Sequence, residues 1–302
     1  MQLEIFVNSD VGRVRRGNED NFLLLNLDSE RFEIGGQTHV ASGFQNIELR
    51  DEGLVLAVAD GMGGALAGEV ASLKAVETVR DILLGNDMEI TLAPDAQHSL
   101  IERLNRATIH ANTSIYLQGR SDAQFNGMGS TFTAASLTKD AVDFLQVGDS
   151  RAYVIRGEQI EQVTKDQSLV QQLIDSGQIS DEEAETHSLR NVILQALGAQ
   201  SDVVPIAVRY KPLQNDILLL CSDGLSNKLA KQDLFEIVTK FSGDLKQACI
   251  ELVSEANKRG GEDNITVILA RLTGENLAGE PETISVEKLM LDGSDEFPTQ
   301  IP

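Results

Sequence analysis

The sequence predicts an α+β fold of antiparallel sheets covered by helices. Three observations predict it. Short apolar runs come in groups, often as neighbouring pairs such as 131–137 with 142–147, without the regular strand–helix alternation of a doubly wound parallel sheet. The helical patterns stand apart from those groups, and one of them carries Leu100, Leu104, Ala107, Ala111 and Ile115 as a single stripe. The chain has 302 residues, 41% hydrophobic and 24% charged, which suits one large globular domain or two small ones. Collagenous, coiled-coil and wholly disordered chains are thereby excluded.

In chain order, turn-rich clusters leave strands at 3–7, 21–27, 54–59, 131–137, 142–147, 152–155, 203–208, 216–221 and 265–271. Helices are expected at 68–84, 96–118, 167–176, 231–241 and 244–259. Residues 28–52 hold Gly35, Gly36 and Gly43 with little periodicity and read as a loop insertion or an extra hairpin. Residues 275–302 carry seven acids against the single basic Lys288 and read as a disordered tail outside the core. Deleting that tail is expected to leave activity and thermal stability nearly unchanged.

Charge narrows the function. Lys and Arg number 25 and Asp and Glu 47, a formal net charge of -22. Such a surface repels nucleic acid and anionic membrane, so neither is expected as a partner. No apolar run reaches the ~18 residues of a membrane span and no basic-then-apolar leader begins the chain, so a cytoplasmic location is expected. Cys221 and Cys249 lie in apolar stretches without CxxC spacing and read as small core residues.

The informative feature is where acids sit relative to strands. Asp60 ends one apolar run and precedes Gly61-Met62-Gly63-Gly64. Asp149 and Asp223 each follow a strand within a few residues, in Gly148-Asp149-Ser150-Arg151 and Ser222-Asp223-Gly224. Asp263 directly precedes a strand, as do Glu19 and Asp20. Antiparallel neighbours run backwards, so five strand ends can converge on one sheet edge. Each Asp before Gly taken singly is an ordinary turn residue. Clustered, such carboxylates repel unless cations neutralise them, and hard oxygen donors suit Mg²⁺ or Mn²⁺ better than zinc. Asp60 is the expected bridge between two ions, because the glycines after it permit close approach. The histidines, His39, His98, His110 and His187, show no metal-ligand spacing.

In order along the chain, these residues resemble the metal-dependent protein phosphatase 2C-type serine/threonine phosphatases in their bacterial form. The match runs from Ser9-Asp10-Val11-Gly12 through Arg15-Arg16-Gly17-Asn18-Glu19-Asp20-Asn21 and Val58-Ala59-Asp60-Gly61-Met62-Gly63-Gly64 to Gly68-Glu69-Val70-Ala71-Ser72. It continues with Gly129-Ser130-Thr131, Val147-Gly148-Asp149-Ser150-Arg151, Ser222-Asp223-Gly224-Leu225 and Asp263-Asn264-Ile265-Thr266, covering about residues 3–272. The resemblance implies a four-layer α/β/β/α sandwich of two antiparallel sheets, with a catalytic domain over 1–274 and a flap beside the active site near 166–200.

By the same resemblance, Asp60 bridges two metals, Asp223 and Asp263 complete the ligands of the first metal, and Glu19 and the Gly61 carbonyl serve the second metal, mostly through waters, with Asp20 hydrogen-bonded around it. A third, weaker ion would use Asp149 with Asp223, Arg15 binds the substrate phosphate, and Asn264 orients Asp263. Three departures stand out. Met62 replaces the histidine of animal-type members, Ala65 and Gln167 stand where bacterial relatives often carry histidine, and 28–52 is longer than usual.

The expected function is hydrolysis of phosphoserine and phosphothreonine in proteins by a metal-activated bridging hydroxide, opposing a serine/threonine kinase. With Met62 and Ala65 beside Asp60, water rather than histidine is the expected proton donor, His187 in the flap being the rival. The chain is expected to be monomeric, with phosphorylated proteins as partners and Mn²⁺ or Mg²⁺ as cofactor. A binding module that kept the fold and lost catalysis, and a metal nuclease, are the competing classes. Intact acids argue against the first and the net charge against the second.

Overall fold

The computed structural model describes residues 1–36, 39–63, 65–86, 98–277, 279 and 283–291. The chain opens with β1 (Gln2–Asp10), β2 (Asp20–Asn26), β3 (Arg31–Gly35), β4 (His39–Glu48) and β5 (Leu54–Met62), then α1 (Ala65–Leu83) and α2 (Leu100–Ser121). β6 (Gly129–Ser130), β7 (Phe132–Leu137), β8 (Val142–Val147), β9 (Arg151–Arg156) and β10 (Gln159–Gln162) follow, with the short helices α3 (Leu169–Asp175) and α4 (Asp181–Glu185) after them. The last part holds β11 (Ile206–Tyr210), β12 (Ile217–Cys221), α5 (Asp223–Ser226), α6 (Lys231–Lys240), α7 (Leu245–Lys258), β13 (Ile265–Thr273) and β14 (Val286–Leu289).

The strands form two antiparallel sheets. The first runs β10-β9-β12-β13-β1-β4; the second runs β14-β11-β8-β7-β5-β2-β3, with β6 paired to β5. Side chains alternate along a strand, so one strand feeds two cores. Phe22 and Leu24 of β2, with Leu54, Leu56 and Val58 of β5, face the other sheet and meet Ile5, Val7, Val154, Leu218, Leu220 and Ile268. Their alternates Leu23, Leu25, Val55, Ala57 and Ala59 face outward onto Ala71, Ala75 and Val79 of α1 and Leu104 and Ala111 of α2. On the far side Phe6, Leu219 and Leu269 pack on Leu234 of α6 and on Cys249 and Leu252 of α7. The four-layer α/β/β/α sandwich follows directly. Cys221 and Cys249 are free and buried, as their apolar settings required.

Two expectations are corrected. Residues 28–52 are neither loop nor hairpin: β3 extends the second sheet beside β2, and β4 crosses to pair with β1 in the first. A hairpin would keep both strands in one sheet; here Arg31 and Phe44, one from each strand, stack guanidinium on ring at 4.4 Å while their backbones pair elsewhere. The acidic segment 275–302 is not wholly outside the core. β14 pairs with β11 from Ala207↔Leu289 to Tyr210↔Val286, and Leu277, Ile284 and Leu291 are buried. Glu287 and Lys288 of β14 are exposed on an edge strand while Ile284 and Leu291 flanking it are buried, which composition alone cannot reveal. Residues 292–302, which carry Asp292, Asp295 and Glu296, lie outside the described residues, as does the expected start of α2 at 96–97.

Candidate active site

Strand register gathers the acids. In the second sheet β2 and β5 are antiparallel with Asp20 opposite Asp60. In the first, Cys221 lies opposite both Arg151 and Val267, and Asp10 lies opposite Ile265. Asp149 just before β9, Asp223 just after β12 and Asp263 just before β13 therefore share one sheet end with the loop 11–19. Ser222 donates its hydroxyl to Asp20 Oδ2 at 2.7 Å, joining the ends of the two sheets.

Backbone and neighbours fix each carboxylate. Asp60 N–H donates to Thr131 Oγ1 at 3.0 Å, and Thr131 N–H donates back to the Asp60 carbonyl at 2.8 Å. Gly61 N–H donates to the Glu19 carbonyl at 3.1 Å. The contact is glycine-dependent: a Cβ on Gly61 would stand 2.2 Å from the Gly68 carbonyl, and one on Gly68 would stand 2.2 Å from Glu19 Oε2. The first turns of α1 can thus approach Asp60 and Glu19. Asn264 accepts from Glu19 N–H at 2.8 Å, donates to the Val11 and Gly17 carbonyls, and its own N–H donates to Asp263 Oδ1 at 2.9 Å. It therefore organises the Arg15 loop as well as Asp263. Arg15 Nη2 donates to Asp263 Oδ2 at 2.8 Å, one of the five N–H groups its fork carries.

The cluster is electrostatically strained. Burial, and then Asp20, Asp223, Asp149 and Asp263, hold the Asp60 carboxyl well above the usual range. Burial pushes Asp20 up to about 7 against the hydrogen bonds from Ser222 and Thr266. Burial and Asp223 push Asp149 up to about 7, and burial and Asp263 push Asp223 up to about 6. Burial raises Glu19, with the Arg15 guanidinium opposing. Mutual repulsion of this kind is what a divalent cation relieves.

The donor set fits such an ion. All the donors are hard oxygens, and buried Asp20 Oδ1 has no hydrogen-bond partner. Among the described residues no three His, Cys, Asp or Glu side chains are already arranged as a ligand cage.

The residues expected from sequence, Arg15, Glu19, Asp20, Asp60, Gly61, Asp149, Asp223, Asp263 and Asn264, thus share one end of the sandwich. His187 does not show a proton-transfer geometry; its Nδ1 accepts from the Leu189 N–H at 3.2 Å, a local turn contact. Thr131, Ser222 and the Arg151–Asp166 pair hold site residues in place, and no sequence pattern assigned them a role. Ser222 and Arg151 stand beside the motif acids Asp223 and Asp149, and Thr131 in the motif Gly129-Ser130-Thr131.

Comparison with known proteins decides the family. A protein phosphatase 2C family model matches residues 44–260. The chain belongs to the protein phosphatase 2C family. The serine/threonine phosphatase stp of Listeria monocytogenes is 38% identical over 263 residues, 86% of this chain and 92% of that protein. The crystal structure of the Mycobacterium tuberculosis serine/threonine phosphatase PstP/Ppp superposes with a TM-score of 0.72 at 30% identity, covering 91% of this chain and 100% of that one. The catalytic domain of PstP in complex with two manganese ions gives 0.68 at 28% identity, covering 90% and 99%. This protein phosphatase 2C is accordingly a protein-serine/threonine phosphatase of the bacterial type. The binding-module and nuclease readings fall away. Among the described residues no helix is long and apolar enough to cross a membrane.

Proposed function

We propose that this protein phosphatase 2C hydrolyses phosphoserine and phosphothreonine in proteins with two divalent ions, Mn²⁺ or Mg²⁺, in the cytoplasm and in opposition to a serine/threonine kinase. Asp60 is suited to share its carboxylate between both ions, Asp223 and Asp263 to serve one, and Glu19 and the Gly61 carbonyl to serve the other. Asp149 with Asp223 is suited to a third, weaker one. When bound, such ions supply Lewis-acid polarisation of phosphoryl oxygens and acidify the attacking water.

This chain's own residues do the rest. Arg15 presents a planar fork to the phosphate, partly exposed and already next to the acid cluster through Asp263. Asn264 and the Asp60–Thr131 bonds hold the ligating backbone in register, which limits reorganisation when charge shifts onto the phosphoryl group. No side-chain nucleophile is called for: both cysteines are buried and their thiols are pushed up by burial, far from a reactive thiolate.

The observation that carries this reading is the convergence of Asp20, Asp60, Asp149, Asp223 and Asp263 beside Arg15, with an unpartnered buried oxygen on Asp20. The test is phosphate release from phosphoserine and phosphothreonine peptides, with an oligonucleotide as comparison. Release that EDTA stops and Mn²⁺ restores is expected. Release untouched by EDTA, or preference for the oligonucleotide, would overturn it.

A further inference from the structure

Asp149 lies in the turn between β8 and β9, and that turn is held from two sides. From within, Gln146 Nε2 donates to the Gly148 carbonyl at 3.1 Å and to the Ser150 carbonyl at 3.0 Å. From outside, three consecutive residues grip it. Lys165 N–H donates to Gln146 Oε1 at 2.9 Å. The Asp166 carboxylate receives Arg151 Nε and Nη2, the latter at 2.7 Å. Gln167 makes two contacts with one residue: its N–H donates to the Gly148 carbonyl at 2.9 Å, and its side-chain Oε1 accepts from Gly148 N–H at 2.8 Å.

The same glutamine faces the other way as well. Its carbonyl accepts from Leu194 N–H at 2.7 Å, and its Nε2 donates to the Val204 carbonyl at 3.2 Å. Around it the two arms of the flap segment are stitched together by Leu169 N–H to the Val192 carbonyl at 2.9 Å and by the Ser168↔Ile193 bridge. The flap base and the Asp149 turn therefore meet at one residue: its backbone carbonyl holds the second flap arm, and its side chain joins the turn to Val204, whose own N–H donates to Gln195 Oε1 of that arm at 3.3 Å. An amide is matched to this place, because it supplies an acceptor to an N–H and a donor to a carbonyl at once. A carboxylate keeps the first bond and loses the second.

We propose that Gln167 is a positioning residue that latches the base of the flap to the Gly148–Ser150 turn, so that flap position and Asp149 orientation are set together. The role given to Asp149 rests on the proposed function; the latch itself rests on the hydrogen bonds. A peptide chain that displaces the flap would then be felt at Asp149, and a small substrate that leaves the flap alone would not.

The test compares Gln167→Ala, Gln167→Glu and the surface control Gln178→Ala, whose side chain reaches Ser176 only two residues away. Hydrogen exchange is followed in EDTA over 146–151, 202–204 and, as internal reference, β1 with β13. Kinetics use a phosphopeptide and an aryl phosphate in Mn²⁺. Gln167→Ala is expected to speed exchange about tenfold at both 146–151 and 202–204, the scale of one lost hydrogen bond, with the reference strands unchanged. Its kcat on the phosphopeptide should fall at least tenfold while kcat and KM for the aryl phosphate move less than threefold.

Gln167→Glu should loosen 202–204 and leave 146–151 protected. It decides the matter if Gln167→Ala also loosens the reference strands. Faster exchange at only one of the two segments in Gln167→Ala, or Gln167→Glu loosening both equally, would overturn the latch. A wild type with no phosphatase activity but the expected exchange pattern would overturn the proposed function and leave the latch standing.

Discussion

Asp20→Asn is expected to stabilise the metal-free protein, and by an amount that grows with pH. Asp20 is fully buried at the end of β2, where burial raises its carboxyl from 3.8 to about 7. A carboxyl that binds its proton more tightly in the folded state contributes stability below about pH 4, and that contribution is lost as pH rises through about 7. Slightly more than three decades of proton affinity corresponds to about 4 kcal/mol. The neighbouring Asp149, Asp223 and Asp60 are raised too, so the metal-free protein loses stability from about pH 4 to pH 7, opposite to a protein whose acids are paired. Asparagine has the shape of the neutral acid and cannot ionise. The gap between variant and wild type should therefore be under about 1 kcal/mol near pH 4 and reach about 4 kcal/mol at pH 8. At about 2 °C per kcal/mol for a large domain, that is a rise of roughly 8 °C in Tm at pH 8. The assay is urea unfolding of both proteins in EDTA from pH 4 to pH 8. A gap independent of pH, or a variant less stable than wild type at pH 8, would show that ionising Asp20 does not destabilise the fold. Saturating Mn²⁺ should cancel the advantage, since the cation neutralises what the substitution removes.

Asp60→Asn should lower phosphopeptide turnover by well over ~10²-fold at saturating Mn²⁺ with the fold intact by circular dichroism, because it removes the carboxylate proposed to bridge both ions. Near-normal turnover would sink the assignment. Asp216→Ala should cost about 3–5 kcal/mol in urea unfolding, since it strands the buried Arg156 guanidinium, whose Nε and Nη2 donate to Asp216 at 2.9 and 2.8 Å. A loss under 1 kcal/mol would show that the remaining partners of Arg156 Nη2, among them Tyr210 at 2.6 Å and the Lys211 carbonyl at 2.9 Å, suffice. Ile284→Ala should lower stability by about 2–4 kcal/mol while leaving kcat unchanged, because Ile284 is 8% exposed in the core between the sheets. An unchanged Tm would mean that the C-terminal segment does not dock in solution.

The chemistry of this protein is legible in its chain. Asp60, Asp149, Asp223 and Asp263 fall at strand ends because glycine-rich turns punctuate apolar runs, and the acid type alone narrows the metal to a hard cation. The α+β class is legible too, since period-2 and period-3.6 patterns depend only on local backbone geometry. Strong core strands such as β2, β5, β8 and β12 stand out for the same reason. Edge strands do not. β3, β4, β10 and β14 are partly exposed and pair on fewer sides, so their composition follows solvent more than packing, and β14, set in an acid-rich stretch, reads as tail. The short α4 and α5 carry too few residues to show a period. Which strand ends meet is a matter of tertiary structure. Register within the second sheet sets Asp20 opposite Asp60, packing of the two sheets brings Ser222 to Asp20, and the chain path puts Gln167 between the flap and the Asp149 turn. Such contacts join residues tens to hundreds of positions apart, and only strand pairing within each sheet and the packing of one sheet on the other fix which of them meet.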